Sequence, residues 1–387
     1  MWEFLSKFVP RSTVVVLLAL TAAAVAGFVV VSHLVNRFNA NQQSRGRKFY
    51  ALGLADLNSG NPEGAVEELR AALTCDRSNT QYQLTLGRAL RDTGRLDEAQ
   101  SYLESLWQRT PEDGTVNLAL ARVAARRGSL DDALRYYHNA MYGVWTSAPD
   151  ENRRKARLEL IEFLLQKDAY TQAQSELMAL AASLPPDPTL ELRTAELLAQ
   201  AQDYADALAE YEKVLRRDRN NGAAMAGAGE VAFRAGRYRT AQRYLQSAVN
   251  ANPQDPKSRN LLASTNQILE ADPFVRRISD AERDRRIATA FASAGKRLTA
   301  CAQQKGENLT PSGGSSAESA LGQLQSRWLD TKRQLPRLRF PGEVDVPDAI
   351  MDVVFQIEQE TASECGEPQG PDEALLLISR NREGADR

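Results

Sequence analysis

The sequence predicts an all-α protein made mainly of repeated helical hairpins. Three observations lead to this fold class. A glycine and alanine pattern returns at a fixed spacing, an uncharged stretch near the N-terminus has the length of one membrane-spanning helix, and apolar stripes with helical spacing follow towards the C-terminus. The 387 residues are 43% hydrophobic and 25% charged, which is a globular balance. A formal net charge of -2 gives no overall basicity that would indicate a nucleic-acid partner.

The central pattern is a glycine, an alanine five residues later and a large apolar residue four beyond that. Gly60, Gly94 and Gly128 are 34 residues apart, and Gly236 follows Gly128 after 108 residues, which is three periods and six residues. We assign the six to a polar insertion at 148–153. A period of this size predicts stacked structural units. The expected units are 46–79, 80–113 and 114–147 before the insertion, and 154–187, 188–221 and 222–255 after it.

This pattern resembles the tetratricopeptide repeat family, whose 34-residue unit is a helix-turn-helix with small residues at positions eight and twenty. The resemblance covers 46–147 and 154–255, and it implies an α-solenoid of about six repeats wound as a right-handed superhelix. Only small residues let two helices cross closely, so these positions are predicted to pack the hairpins. They are Gly53, Ala65, Gly87, Ala99, Ala121, Ala133, Ala173, Ala195, Ala207, Gly229 and Ala241, with Ile161 as the exception at position eight. The large residue at position twenty-four is expected to fill the groove against the next unit.

In this family the first helices of the units line a concave groove that binds peptides. At the corresponding positions the charge changes sign along the chain, from arginine in units two and three to glutamate in units four to six. Arginines clustered in a concave wall suit an acidic segment of a protein partner. The alternative is a solvated face, or arginines paired with Asp92 and neighbouring acids. The predicted groove residues are Arg88, Arg91, Arg122, Arg126, Glu162, Glu196 and Glu230.

The N-terminal segment predicts a single membrane-spanning helix at 12–36, after a flank at 1–11. No charged residue occurs between Ser12 and Asn36, and a helix of this length spans the ~30 Å hydrocarbon layer. A cleaved signal peptide is the alternative, because Ala24-Val25-Ala26 is an A-x-A site.

The basic residues around this segment predict its orientation. Two precede it and four follow it, and an excess of positive residues marks the cytoplasmic side. This count places the soluble region in the cytoplasm, at the plasma (inner) membrane, with export behind a signal anchor as the alternative. The residues counted are Lys7 and Arg11 before the segment, and Arg37, Arg45, Arg47 and Lys48 after it.

Beyond the repeats the sequence predicts a capping helix at 256–272 and a small helical domain at 273–387 with a flexible linker at 306–316. Ser279 and Glu282 form a capping box that opens one of its helices. Cys301 and Cys365 form a bridge in an oxidising compartment or remain thiols, and the scattered cysteines favour thiols.

These features predict a membrane-anchored scaffold that binds a protein or peptide partner in its groove, in the assembly of an envelope or membrane complex. The chain has two histidines and none of the metal-ligand, phosphate-loop or nucleophile motifs searched for. We therefore expect no enzyme activity, cofactor, metal, nucleic acid or small-molecule substrate. The alternative is an enzyme or regulatory factor whose activity lies in the unassigned C-terminal domain.

Overall fold

The computed structural model describes residues 11–307, 319–334 and 346–385, and the predicted all-α fold class is confirmed there. These ranges hold 17 helices, and no strand pairing beyond an isolated bridge between Asp113 and Val144. Residues 1–10 of the predicted flank at 1–11 and residues 308–316 of the predicted linker at 306–316 lie outside the described residues. The chain divides into two compact units, which we call the first unit (Met1–Lys167) and the second unit (Asp168–Arg387). The six repeats are instead numbered unit one to unit six.

The first unit is a series of helices in which each packs on the next. Its helices are α1 (Arg11–Asn58), α2 (Pro62–Cys75), α3 (Thr80–Asp92), α4 (Leu96–Trp107), α5 (Gly114–Arg127), α6 (Leu130–Tyr142) and α7 (Pro149–Gln166).

Helix α1 contains the predicted membrane span and continues beyond it. In the described part of the chain it is the one helix long and apolar enough to cross a membrane, which is compatible with an anchor or a signal sequence. Its apolar side chains, such as Leu18 and Phe28, are exposed. Residues 37–45 contain no proline or glycine to end the helix. The apolar segment and the first repeat helix therefore form one uninterrupted helix.

The small residues of the repeat lie where two helices cross. All six alanines at position twenty, from Ala65 to Ala241, are fully buried. A Cβ atom on Gly53 would lie 2.8 Å from Leu69 Cγ, and one on Gly87 would lie 2.8 Å from Leu103 Cδ2. The leucine at position twenty-four thus packs on position eight of its own unit, and in unit five Tyr211 at the same position lies against Gly227 of the next unit, as expected.

The turn between the two helices of each unit has a left-handed residue at position fifteen. The four glycines of the sequence pattern have φ between 68° and 79° at this position. In the two units that lack this glycine, Asp168 and Gln202 adopt φ of 55° and 62°. Units four and five therefore keep the left-handed backbone conformation although they lack the glycine that adopts it most easily.

The predicted insertion at 148–153 differs from the structure. Helix α7 begins at Pro149, so most of these residues form its first turns. Proline suits the first helical position, and Asp150 and Glu151 favour the positive end of the helix dipole. The extra residues thus lengthen a repeat helix.

The second unit contains the remaining helices. They are α8 (Tyr170–Ser183), α9 (Pro188–Gln200), α10 (Tyr204–Arg217), α11 (Gly222–Arg234), α12 (Tyr238–Ala251), α13 (Pro256–Ala271), α14 (Asp280–Lys305), α15 (Ala320–Gln334), α16 (Val346–Cys365) and α17 (Pro371–Ala385).

The last four helices share a core with the capping helix α13, which packs on α12 and on α17. Ile268 of α13 is buried in one cluster with Phe291, Val354 and Ile378. Helix α13 thus joins the repeats to the C-terminal helices instead of presenting a free end.

A disulfide joins Cys301 of α14 to Cys365 of α16. The free-thiol interpretation of these two cysteines is therefore wrong, while Cys75 is a free cysteine.

Candidate functional site

A concave pocket of about 460 Å³ lies in the first unit, between α3, α5, α6 and α7. It holds four of the seven predicted groove residues, namely Arg91, Arg122, Arg126 and Glu162. The side chains that complete it are Asp92, Ala125, Tyr137, Glu159, Phe163 and Gln166.

Arg122 and Glu159 form a two-pronged ion pair across the pocket. Nε of Arg122 donates to Glu159 Oε2 at 2.8 Å, and Nη2 donates to Oε1 at 2.7 Å. The hydrogen bonds to Glu159 raise the pKa of Arg122. Both side chains are partly exposed, so this pair positions the guanidinium more than it stabilises the fold.

Asp92 holds the arginines of α3. Arg91 donates from Nε and Nη2 to Asp92 Oδ1, at 2.9 and 2.6 Å. Arg88 Nε lies 3.7 Å from the other oxygen of Asp92, outside the pocket lining, with half of its side chain exposed. Arg88 and Arg91 therefore fit the alternative in which the arginines pair with Asp92 and neighbouring acids.

Arg126 differs from the other arginines of the pocket. It is exposed, and no hydrogen bond or ion pair to another described residue holds its guanidinium. Tyr137 and Phe163 are buried in the wall beside it. Burial, followed by the nearby negative charge of Glu159, raises the pKa of Tyr137, so its hydroxyl stays protonated. Among the residues that the structure describes, Arg126 is thus the one cation of the pocket without a partner, and it lies next to aromatic surface.

The three predicted glutamates lie in different surroundings. Glu162 lines the pocket of the first unit. Glu196 and Glu230 belong to the second unit, where Glu196 lies 3.5 Å from Arg193 and Glu230 pairs with Arg234 and Lys257. Basic partners therefore offset the negative charge of Glu196 and Glu230, the two glutamates predicted to make the later part of the groove acidic.

Sequence reasoning missed Glu159, Tyr137 and Phe163. Glu159 stands at position six of its unit, a position that supplies none of the predicted groove residues. Tyr137 is a tyrosine where most units have leucine at position twenty-four. Its neighbour at position eight is Ala121, whereas the leucines 69, 103 and 245 face glycine. Tyr211, the other tyrosine at position twenty-four, likewise has an alanine, Ala195, at position eight of its unit, so this pairing was a readable signal.

Comparison with known families gives tetratricopeptide repeat matches in two parts of the chain. One sequence profile of this family matches residues 50–113 and 84–151, and another matches 198–265. Unit four and the start of unit five, which carry the weakest pattern, lie between them.

A curated relative of Escherichia coli O157:H7, named for a cellulose synthase operon as its protein C, is 25% identical over 179 residues. The aligned region is 46% of this chain but only 16% of that much longer protein. Solved structures with similar folds include Pseudomonas aeruginosa PilF, with 18% identity, a TM-score of 0.40, and coverage of 58% of this chain and 99% of PilF. The type IV pilus biogenesis factor PilW has 16% identity and a TM-score of 0.40, covering 56% and 98% of the two chains.

The spacing of the small residues, the helical hairpins and the two profile matches agree with one another. Among the described residues, no group of three or more His, Cys, Asp or Glu side chains could hold a metal ion. The chain contains tetratricopeptide repeats, in residues 50–151 and 198–265.

Proposed function

We propose that this protein is a membrane-anchored scaffold that binds a protein partner in the pocket of its first unit. The observation that carries the proposal is Arg126, an exposed guanidinium that pairs with no other described residue, in a concave pocket whose other two arginines are held by carboxylates. Tetratricopeptide repeats mediate protein binding. A role in assembling an envelope complex is the setting we propose, in keeping with the name of the curated relative.

The pocket suits one short acidic and apolar segment. Its three arginines and three acids leave no net formal charge, so a long acidic stretch would meet as much repulsion as attraction. One carboxylate can pair with Arg126 while an adjacent aromatic or aliphatic side chain packs on Phe163. Arg122 is oriented by Glu159 and needs little reorganisation to donate from its remaining N–H groups.

Site-directed photo-crosslinking in native membranes tests this proposal on the full chain. A photoreactive residue at Gln166, which lines the pocket, is expected to give a discrete protein adduct, whereas one at exposed Gln108 is not. Arg126→Glu should reduce the adduct about tenfold or more, since it replaces an attractive pair by repulsion.

Arg127→Glu is the matched control. It makes the same charge change one residue away, where Arg127 pairs with the exposed Asp97 outside the pocket. An adduct that survives Arg126→Glu, or that Arg127→Glu weakens equally, would contradict binding at this pocket.

We further propose that the soluble region lies outside the cytoplasm. The disulfide between Cys301 and Cys365 supports this location, because disulfides persist in oxidising compartments and are rare in the cytosol. Gly46 of α1 already packs against Cys75 and Tyr82, so Arg47 and Lys48 belong to the folded repeats. Without them, two basic residues stand on each side of the apolar segment. The charge count then favours neither side.

Thiol labelling tests this location. In cells that express the Cys75→Ser chain, trapping thiols with a maleimide polymer before reduction should leave the protein unlabelled, and labelling after reduction should add two polymers. Two polymers added before reduction would place the C-terminal helices in a reducing compartment.

A further inference from the structure

The second unit contains a cavity of about 440 Å³ where the start of α12 meets the segment after α13 and the last helix α17. Among the described residues, four arginines line it, namely Arg237, Arg239, Arg276 and Arg382, and Asp272 is the only carboxylate of the lining. The lining therefore has a formal charge of +3, in contrast to the neutral pocket of the first unit. Nothing in the repeat pattern predicts this cavity, because two of its walls lie outside the repeats.

The positive charge of the cavity is poorly compensated. Arg237 and Arg276 are exposed, and their guanidinium groups make no ion pair with another described residue. Arg239 donates to the backbone carbonyl of Arg276 at 2.9 Å, which offsets no charge. Arg382 is the one with a carboxylate partner, Asp348 at 2.8 Å.

Arg382 also has a donor with no acceptor. Its guanidinium carbon lies 4.1 Å from the centre of the Phe274 ring, which fixes the plane of the group. Nη2 donates to Asp348, while Nη1 is buried and has no hydrogen-bond partner within the part of the chain that the structure describes. A buried N–H of a charged group without an acceptor is costly, and an anionic ligand would supply one.

The backbone at the cavity adds further donors. Helix α12 begins there with Arg237 as its N-cap, without a side-chain hydrogen bond to the first turn and without an acidic residue in that turn. The free N–H groups at the start of a helix, together with its dipole, favour an anion.

We propose that this cavity binds a phosphate group carried on an apolar body. The phosphate would lie among Arg237, Arg276 and the unused N–H of Arg382, and the apolar part would pack on Leu269, Val275 and Ile378. A phosphate monoester carries a charge of about -1.5 to -2, which suits the net charge of the lining better than a single carboxylate does. The cavity volume lies within the usual range of ~300 to 1,000 Å³ for small-ligand pockets. The same chemistry occurs in a soluble phosphate monoester and in a lipid headgroup.

The test uses the full chain in non-ionic detergent, with phenyl phosphate as the probe and calorimetry at constant ionic strength as the measurement. Phenyl phosphate should bind, inorganic phosphate should compete with it, and phenol should not bind. Arg237→Ala and Arg276→Ala should each weaken binding about tenfold, as expected for loss of one charge-assisted contact. Asp272→Asn should tighten binding, because it removes the only negative charge in the lining.

Arg277→Ala is the matched control, since Arg277 is exposed and adjacent to Arg276 but does not line the cavity. It should change the affinity less than about twofold, because exposed charges outside a contact contribute little. Equal losses in Arg276→Ala and Arg277→Ala would overturn the site, as would binding that Asp272→Asn does not change. Near-ultraviolet circular dichroism of each variant checks that the fold is retained.

A second arm distinguishes the two sources. Detergent micelles containing phosphatidic acid are compared with micelles containing phosphatidylcholine. Binding to phosphatidic acid alone assigns a lipid headgroup, and binding to phenyl phosphate in lipid-free micelles assigns a soluble ligand. Absence of both overturns the proposal.

Discussion

The two cavities have nearly the same volume, about 460 and 440 Å³, and arginines line both, yet their charges differ. In the first unit three arginines face three acids, and two of the arginines are held by hydrogen bonds to carboxylates. In the second unit four arginines face one acid, and one arginine has a carboxylate partner. The difference depends on the helix that closes each cavity. A repeat helix, α7, contributes Glu159 and Glu162 to the first, while α17 contributes Asn381 and Arg382 to the second.

Two acids of the second unit, Asp272 and Glu358, lose much of their solvation on folding. Burial raises the pKa of Asp272 although Arg286, Arg382 and Arg239 oppose the shift. Glu358 of α16 is fully buried, and neither of its carboxylate oxygens has a hydrogen bond. These two carboxylates are thus destabilised by desolvation, whereas Glu159 of the first unit remains partly exposed and accepts two hydrogen bonds.

The largest expected effect concerns Glu358. Arg297 Nε lies 3.3 Å from Glu358 Oε2, but it donates to Thr361 Oγ1 at 2.7 Å, and Nη2 donates to the carbonyl of Gly366. Burial, with the charge of Asp372 adding to it and that of Arg297 opposing it, raises the pKa of Glu358 to about 8 from 4.5. A raised pKa means that the folded state binds the proton more tightly. The resulting stability is complete below about pH 4.5 and is lost as the pH rises through about 8.

We therefore expect Glu358→Gln to stabilise the C-terminal helices at pH 9 by several kcal/mol relative to the wild type, and to change little at pH 5. Hydrogen–deuterium exchange of 346–365, compared between the two chains at the same pH, measures this difference without the pH dependence of intrinsic exchange. Glu364→Gln, in the same helix but half exposed beside Lys305, is the control and should show no such pH dependence. Equal protection of wild type and Glu358→Gln at pH 9 would show that Glu358 ionises without penalty.

The repeat hairpins could be predicted from the sequence because their determinants are local and periodic. The alanine at position twenty is fully buried in all six units, and the glycine at position fifteen has the same left-handed conformation in the four units that contain it. Each signal is weak, but their repetition makes the prediction strong. The bounds of the repeated helices follow from the same pattern. The same pattern does not predict the uninterrupted helix α1, because it describes the repeats and not the apolar segment that precedes the first repeat.

The candidate site was only partly predictable. Four of the predicted groove residues, Arg91, Arg122, Arg126 and Glu162, line one concave pocket. The charge of that pocket also depends on Asp92 and Glu159, which pair with Arg91 and Arg122. The cavity of the second unit could not be anticipated, because it requires Asn381 to reach Gly236, which is 145 residues away in sequence. Single-residue patterns carry no information about such distant contacts.

The next prediction tests how the cavity of the second unit is closed. Gly236 has φ of 68°, and a Cβ atom there would lie 1.9 Å from Asn381 Oδ1. Asn381 Nδ2 also donates to the Gly236 carbonyl at 3.1 Å. Gly236→Ala should therefore combine left-handed strain with displacement of α17, and we expect about 2 to 3 kcal/mol of destabilisation.

Gly94→Ala is the matched substitution in the first unit. Gly94 has φ of 79°, but a Cβ atom there would meet nothing within 4 Å. It should cost about 1 to 2 kcal/mol from backbone strain alone. Urea unfolding of both variants measures the two costs, and phenyl phosphate affinity should fall in Gly236→Ala alone. If the two substitutions cost the same and phenyl phosphate binds both equally, the contact with α17 does not shape the cavity.

The smallest expected effect comes from a substitution that would shift the charge of the first pocket towards that of the second. Glu159→Gln removes one of the three acids of the first pocket, which raises the formal charge of its lining from zero to +1 and releases Arg122 from its two-pronged pair. The pair is partly exposed, so its loss should destabilise the first unit by about 1 kcal/mol or less.

The pocket of the Glu159→Gln chain should then bind an acidic peptide more tightly than the wild type does, because Arg122 and Arg126 both become available to one carboxylate. Fluorescence anisotropy with a labelled hexapeptide of alternating Glu and Leu measures this gain, and Glu104→Gln, an acid of α4 outside the pocket lining, controls for net charge. If Glu159→Gln binds the peptide no better than Glu104→Gln, then Glu159 only orients Arg122, and the charge balance of the lining does not set what the pocket accepts.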